Sequence, residues 1–270
     1  MALREYDVEF ESIKVHCWEG GSGFPILMMH GSGPGVSTVG NWRHVLEPLA
    51  ERYRVLAFDL IGFGLSGRKR EKPYFDLALW QRQAQHMLAR LPDGPAGIIA
   101  HSLSGALALR VAAANARVTK LVTTGTLGAA FPINPYLAAA WKTPRTAAEL
   151  RETFEPAVYD RSAITDEFVQ NRMAILAKDG YGAHFSAMFE GDKQRYIDAC
   201  VAPPEALAGI RGDVLMMHGR NDVMVPFETS TLALAPALPR ADIVAVGCCG
   251  HGVAQEHPDK FLRSVVGLLG

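Results

Sequence analysis

A serine, an aspartate and a histidine, residue types that together can form an activated nucleophile, each follow a separate apolar run of the chain. Serine is a weak nucleophile that needs a neighbouring base, and the base needs an acid that orients it. If the three runs are parallel strands, their carboxyl ends meet at the edge where such sheets bind ligands. We therefore predict one catalytic site, made of Ser102 as nucleophile, His251 as general base and Asp222 as the acid that orients His251.

The candidate nucleophile lies in a turn of small residues. Ser102 stands between an apolar run and a helix-forming run, as in a nucleophile elbow, where a sharp turn lifts the hydroxyl above a sheet. The positions two before and two after it are Ala100 and Ser104 rather than the usual glycines, and both are small enough for strand and helix to approach. A serine in such a turn is more often structural than catalytic. The prediction therefore depends on Asp222 and His251 downstream.

A glycine-rich turn over residues 30–35 follows another apolar run. A carbonyl group attacked by Ser102 develops negative charge on its oxygen, which donors already in place stabilise. We predict that the backbone NH groups of Ser32 and Leu103 form this oxyanion hole, and that Gly33 contacts the substrate. An ordinary tight turn is the alternative interpretation.

The elements that must position these residues alternate along most of the chain. Short apolar runs alternate with amphipathic stretches, which is typical of a mostly parallel sheet covered by helices on both faces. Helices are predicted behind a cap at Asp76 and over residues 103–116. We predict an α/β fold with eight strands, at residues 8–10, 13–18, 25–30, 54–59, 96–101, 118–124, 213–218 and 241–246.

The alternation stops in the middle of the chain, where helical periodicity continues without a convincing strand. A capping box at Thr146 to Glu149 begins one predicted helix, and residues 165–177 form another. Both flanks return to strand-like sequence. We therefore predict a core domain of residues 1–126 and 209–270 with a helical lid inserted over residues 127–208.

Charge and cysteine usage narrow the class of partner. The formal net charge is −1, and basic residues are interspersed with acidic ones, so neither nucleic acid nor a membrane surface is an expected partner. The four cysteines show no C-x-x-C pair and no uncharged stretch is long enough to span a bilayer, so we expect a cytoplasmic protein with free thiols. The sequence leaves open whether the chain forms a homo-oligomer.

No pattern for a bound metal or organic cofactor occurs. The H-E-x-x-H ligand pattern is absent, and the glycines at 62, 64 and 67 precede Arg68 and Lys69, where a phosphate-binding loop needs Lys and then Ser or Thr. We expect catalysis without a metal or cofactor, on a small-molecule substrate.

Five groups of short motifs are spread along the chain. They are H-G-S-G-P-G-V (30–36) with N-W-R (41–43), D-x-x-G-x-G (59–64), the elbow at Ser102, H-G-R-N-D (218–222) with Pro226, and C-G-H (249–251) with E-x-P (256–258). Together they resemble the motifs of the α/β-hydrolases, and among them those of the meta-cleavage product hydrolases, which cut carbon–carbon bonds in ring-fission products of aromatic degradation. The resemblance covers nearly the whole chain and implies a 2-hydroxy-6-oxo-dienoate type acid as substrate.

The resemblance also implies two residues that hold the polar end of the substrate. A lid arginine of the family commonly binds the substrate carboxylate, and Arg172 matches it; Asn41 is expected to help. Independently, Arg172 shares one helical stripe with Phe168 and Leu176, and an inward guanidinium needs an anion. A structural salt bridge, or a side chain that packs its stem on the apolar face and extends its charge to solvent, is the alternative. We expect a substrate with a carboxylate and an apolar group.

The chain departs from the family pattern at two positions. The family often has Asn before the nucleophile and Trp after the catalytic histidine, where this chain has His101 and Gly252. Loss of the Trp predicts a larger pocket. A carboxylesterase or lactonase with the same three residues is the second hypothesis. A small-molecule receptor or a cofactor-free oxygenase is the third, although a receptor would not need an activated serine.

Overall fold

The computed structural model describes residues 3–270, and within them eight strands form one sheet in the order β1-β2-β4-β3-β5-β6-β7-β8. The β1–β2 and β2–β4 pairs are antiparallel and the other pairs are parallel. The predicted mostly parallel eight-stranded sheet is therefore confirmed. The strands are β1 (Arg4–Phe10), β2 (Ile13–Gly20), β3 (Pro25–Met29), β4 (Arg54–Phe58), β5 (Ala96–His101), β6 (Val118–Thr124), β7 (Asp213–Gly219) and β8 (Ala241–Val246).

Helices cover both faces of this sheet. On one face α3 and α4 join a large apolar cluster, and on the other α2 and α13 join a second cluster. The helices outside the central segment are α1 (Thr38–Trp42), α2 (Leu46–Ala50), α3 (Leu77–Ala89), α4 (Leu103–Ala114), α11 (Thr231–Leu234), α12 (Val253–Glu256) and α13 (Pro258–Leu269). Because both faces are covered, every residue of the central strand β5 is buried.

The segment between β6 and β7 contains six α-helices and, within the described residues 125–212, no strand. These helices are α5 (Pro135–Ala140), α6 (Ala147–Phe154), α7 (Asp166–Ala177), α8 (Tyr181–Met188), α9 (Gln194–Cys200) and α10 (Pro204–Leu207). Their apolar residues join the cluster that contains α3 and α4. The segment is thus packed onto the sheet domain through a continuous hydrophobic contact.

Polar caps begin the helices where the sequence predicted them. The Asp76 carboxylate accepts a hydrogen bond from the Leu79 NH, and Thr165 caps α7 in the same way. Thr146 accepts from the Glu149 NH at 3.1 Å, but the Glu149 carboxylate accepts from the Arg145 NH instead of closing the reciprocal bond. The predicted capping box is therefore only half formed.

No helix within the described part of the chain is both long and apolar enough to cross a membrane. The four cysteines, Cys17, Cys200, Cys248 and Cys249, are free thiols.

Candidate active site

Ser102 lies in the sharp turn between β5 and α4. Its backbone has a positive φ of 56°, a conformation that strains a residue with a side chain by about 1–3 kcal/mol and recurs at active sites. Three hydrogen bonds hold the turn: the Ser102 NH donates to Thr124 O at 2.9 Å, and the Ser102 carbonyl accepts from the NH groups of Gly105 and Leu127. The predicted elbow is therefore present, with its strain balanced by the surrounding backbone.

The structure brings Ser102, His251 and Asp222 together in one chain of hydrogen bonds. Nε2 of His251 lies 2.9 Å from Oγ of Ser102, and Nδ1 of His251 lies 2.7 Å from Oδ2 of Asp222. Because a carboxylate only accepts, Nδ1 carries the proton and Nε2 is free to take the proton of Ser102. The arrangement can generate an alkoxide nucleophile on Ser102.

Asp222 is buried and fully hydrogen-bonded. Oδ1 accepts from the NH groups of Met224 and Val225, and Oδ2 accepts from His218 at 3.0 Å as well as from His251. Burial alone would raise the pKa of Asp222, but the interactions with His251 and His218 outweigh it and hold the pKa below its ordinary value. Asp222 is therefore an anion at neutral pH.

His218 also takes part in the hydrogen-bond network around Asp222. It belongs to the H-G-R-N-D motif, but the sequence assigned it no role. Its Nε2 faces two acceptors, Oδ2 of Asp222 and the carbonyl oxygen of Val225 at 2.8 Å, so Nε2 carries a proton. Its Nδ1 hydrogen-bonds Oγ1 of Thr231 at 2.7 Å. His218 thus donates to the same carboxylate oxygen as His251 and helps to fix its direction.

The glycine-rich turn after β3 approaches the nucleophile closely. A Cβ atom on Gly31 would lie 3.2 Å from Cβ of Ser102 and 2.9 Å from the ring of His101, so the approach requires glycine. Among the described residues, the NH groups of Ser32 and Leu103 donate to no protein acceptor. Both groups are available for the oxyanion role that the sequence predicted.

A cavity of about 290 Å³ opens at Ser102 between the sheet domain and the helical segment. His251, Ser32, Gly33 and Asn41 lie on its wall. The opposite wall is largely apolar and comes from the helical segment. Its residues include Leu137, Ala140, Trp141, Phe154, Ala157, Val158, Ile164 and Phe168.

Arg172 also lines this cavity, and it has no counter-anion. It is 6% exposed; Nη1 donates to Pro34 O at 2.7 Å, and the guanidinium lies 4.3 and 4.6 Å from the ring centroids of Phe154 and Phe168. Nε has no partner, and no carboxylate of residues 3–270 pairs with the side chain. The alternative of a structural salt bridge is therefore wrong. Burial lowers the pKa of Arg172 to about 9, the sign of a charge that lacks an anion.

Gly33 lies beside this guanidinium, and Asn41 contacts the glycine-rich turn. A Cβ atom on Gly33 would lie 3.2 Å from Cζ of Phe154 and 3.5 Å from Nη1 of Arg172, so this turn lies directly against both side chains. Oδ1 of Asn41 accepts from the Gly31 NH at 3.2 Å, while its amide nitrogen donates to no described residue. Arg172, Gly33 and Asn41, the residues predicted to contact the substrate, therefore all line the same cavity.

The two departures from the family pattern have visible consequences. Nδ1 of His101 contacts both oxygens of Thr124, and burial lowers the pKa of His101 well below its usual value, so the ring is neutral. At Gly252, a Cβ atom would lie only 2.6 Å from Oε1 of Gln255. Gln255, whose Nε2 donates to Gly40 O, thus occupies the space beside Gly252, where the absence of a Trp had predicted a larger pocket.

Comparison with known proteins agrees with the fold. The profile of the Alpha/beta hydrolase family matches residues 26–264. The chain belongs to the alpha/beta hydrolase family.

Its relatives narrow the class and confirm the resemblance read from the motifs. A 2-hydroxymuconate semialdehyde hydrolase from Pseudomonas sp. (strain CF600) is 36% identical over 94% of this chain and 89% of its own length. A 2-hydroxy-6-oxo-2,4-heptadienoate hydrolase from Pseudomonas putida F1 is 32% identical over 94% of this chain and 91% of its own length. The crystal structure of a meta-cleavage product hydrolase from Pseudomonas fluorescens IP01 superposes with a TM-score of 0.92 at 31% identity, covering 97% of this chain and 96% of that one.

Proposed function

We propose that this enzyme hydrolyses a carbon–carbon bond in a meta-ring-fission product, a 2-hydroxy-6-oxo-dienoate type acid formed in the degradation of aromatic compounds. The observation that carries the proposal is Arg172, a buried cation without an anion in the cavity that contains Ser102. The relatives named above act on acids of this kind according to their names.

The proposed mechanism uses the hydrogen-bonded chain as it stands. His251 assists the tautomerisation of the substrate enol to the ketone, which makes the carbon chain a leaving group. His251 then takes the proton of Ser102 as Oγ bonds to the distal carbonyl carbon, and the NH groups of Ser32 and Leu103 stabilise the oxyanion. When the carbonyl re-forms, the carbon–carbon bond breaks, and His251 returns the proton to the departing carbon. Water activated by His251 hydrolyses the acyl group from Ser102.

The substrate carboxylate is assigned to Arg172, with Asn41 and Gly33 beside it. A carboxylate that leaves water for a partly apolar cavity is strongly destabilised unless a cation meets it. The guanidinium already holds its place through Pro34 O and two aromatic rings, so its remaining NH groups can bind the carboxylate without rearrangement. The apolar wall of the cavity then takes the distal substituent.

The test compares Arg172→Gln with wild type on a dienoic acid and on a neutral aryl ester. We expect kcat/KM for the acid to fall by an amount equivalent to about 2–5 kcal/mol, the range for truncating one partner of a buried charge pair. The neutral ester, which has no carboxylate, should be turned over almost as before. Arg151→Gln is the matched control, because Arg151 is another arginine of the helical segment, paired with Asp166 and outside the cavity.

A carboxylesterase or lactonase is the second candidate, favoured by His101 in place of the family's Asn. Equal effects of Arg172→Gln on acid and ester, or turnover of esters alone by wild type, would support this candidate and contradict the carbon–carbon hydrolase.

We further propose that residues 127–208 act as a lid on a core domain of residues 1–126 and 209–270. The largely apolar wall of the cavity comes from this segment, so its helices cover one side of the space in front of Ser102. The expected cytoplasmic location remains a prediction.

The reaction as proposed needs no metal or organic cofactor, because Ser102, His251 and the oxyanion donors supply every step. Dialysis against a strong chelator should leave kcat unchanged. Activity that is lost on dialysis and restored by one added metal would contradict this.

A further inference from the structure

We propose that Trp141 of the lid is a positioning residue that turns the hydroxyl group of Ser32 into an additional hydrogen-bond donor for the oxygen of the attacked carbonyl. The inference rests on the proposed role of Ser102 as nucleophile, but not on whether the bond cleaved is carbon–carbon or ester.

The two side chains are joined by a direct hydrogen bond between the lid and the glycine-rich turn. Nε1 of Trp141 lies 3.0 Å from Oγ of Ser32, and the residues are 1% and 4% exposed. An indole NH can only donate, so Oγ of Ser32 must accept in this bond. The hydrogen of the Ser32 hydroxyl is therefore directed away from Trp141.

The hydroxyl hydrogen of Ser32 has no other acceptor among residues 3–270. Both Ser32 and Trp141 line the cavity together with Ser102. A hydroxyl group that accepts one hydrogen bond still has its own hydrogen to donate, so the Ser32 hydroxyl is free to donate to a ligand in the cavity. Because the backbone NH of the same Ser32 is a proposed oxyanion donor, the carbonyl oxygen of the substrate is the acceptor within reach.

Packing within the lid fixes the direction of the Trp141 NH. The indole stacks on Phe189 with ring centroids 5.0 Å apart and an interplanar angle of 7°. The ring of Tyr196 meets it edge-on at 5.9 Å. The indole cannot rotate without breaking these contacts. Its NH can therefore orient the Ser32 hydroxyl only while the lid is packed against the glycine-rich turn.

A double-mutant cycle of Trp141→Phe and Ser32→Ala tests this coupling. Phe keeps an aromatic ring but removes the NH, and Ala removes the hydroxyl but keeps the backbone NH. We expect each single variant to lower kcat about tenfold, less than the loss of a complete oxyanion donor. KM should change less than twofold, and the double variant should be no slower than Ser32→Ala. The substrate is whichever of the dienoic acid and the aryl ester the wild type turns over.

Trp80→Phe is the matched control, because Trp80 is a fully buried tryptophan whose NH donates to Ile61 O at 2.8 Å, away from the cavity. It should lower the melting temperature as much as Trp141→Phe but leave kcat unchanged. Additive losses of kcat in the cycle, or wild-type kcat in Ser32→Ala, would overturn the proposal. A wild type that turns over esters alone would instead contradict the proposed function and leave this test intact.

Discussion

The active-site cavity has a sheet wall, which carries Asp222 and His251, and a lid wall, which carries Arg172, and these charged and catalytic groups differ in how completely they are paired. On the sheet wall, both oxygens of Asp222 accept two hydrogen bonds each, and His251 uses both ring nitrogens. On the lid wall, Arg172 is buried with one carbonyl partner and an unpaired Nε. The catalytic groups of the sheet wall are therefore organised before substrate arrives, whereas the charge of Arg172 is proposed to be paired only by the substrate. Variants of these catalytic groups should affect every substrate, and variants of Arg172 should affect only substrates with a carboxylate.

The largest effect is expected from the sheet wall at Ser102 and Asp222. Ser102→Ala should leave the fold intact and remove nearly all turnover of any substrate. Asp222→Asn should lower kcat by a factor on the order of 10⁴, because His251 is no longer held in the correct tautomer. Circular dichroism and kcat on two substrates measure both effects. Rates near wild type in purified Ser102→Ala would refute the nucleophile, and a loss of only a few-fold in Asp222→Asn would point to another acid.

A smaller but still large effect is expected where the end of β7 packs closely against the loop that carries His251. A Cβ atom on Gly219, at the end of β7, would lie 1.9 Å from the carbonyl oxygen of Gly250, next to His251. Gly219→Ala must therefore move this loop, at a loss of about 1–3 kcal/mol of unfolding free energy and with a lower kcat. Gly247→Ala is the control, because nothing lies within 4 Å of a Cβ there. Equal stability and kcat of the two variants would show that the loop yields easily.

His218→Asn should have a moderate effect, because it removes one donor from the carboxylate of Asp222. One hydrogen bond to a charged group is worth about 1.5 kcal/mol or more, or roughly tenfold in rate. We expect kcat to fall by about this factor on acid and ester alike, with KM unchanged. A change in KM for the acid alone would place His218 with the lid wall and break the comparison.

The smallest effect is expected in the lid, at His184. Burial beside the ring of Tyr74 lowers the pKa of His184 to about 4. The unfolded chain, with a pKa near 6.5, binds the proton first, so this residue makes the fold less stable as the pH falls from about 6.5 to 4. The loss should stay under about 1 kcal/mol, since the ring is only half-buried. The unfolding free energies at pH 7 and 4.5 should differ less in His184→Gln than in wild type, and identical pH slopes of the two proteins would contradict the prediction.

The sequence predicted the strands well because parallel strands buried on both faces are continuous apolar runs. The exception is β1, which begins at Arg4 rather than at residue 8. Only one face of β1 packs against the core, through Tyr6, Val8 and Phe10. The charged residues between them interrupt the apolar run, so the first residues of the strand were not predicted. Helical spacing placed Arg172 correctly on an inward face, because the periodicity of a single helix is a local property that the sequence shows directly.

The contacts that the sequence could not predict join residues far apart in the chain. The bond from Trp141 to Ser32 spans 109 positions, and Gln255 reaches Gly40 across 215. Neither contact leaves a local pattern, because each depends on how the helical segment or the last helices settle on the sheet. His218 belongs to a motif that the sequence shows. Its role as a second donor to the Asp222 carboxylate, beside His251, follows only from the fold of β7 and the loop after it.

The backbone NH of His251 donates to the carbonyl oxygen of Ala157, a residue of the helical segment, at 2.7 Å. The general base is therefore anchored on one side by Asp222 and on the other by the segment that covers the cavity. Any displacement of that segment away from His251 would break this bond and leave Asp222 as the remaining anchor of the base. The position of the general base is thus coupled to the position of the segment that lines the cavity.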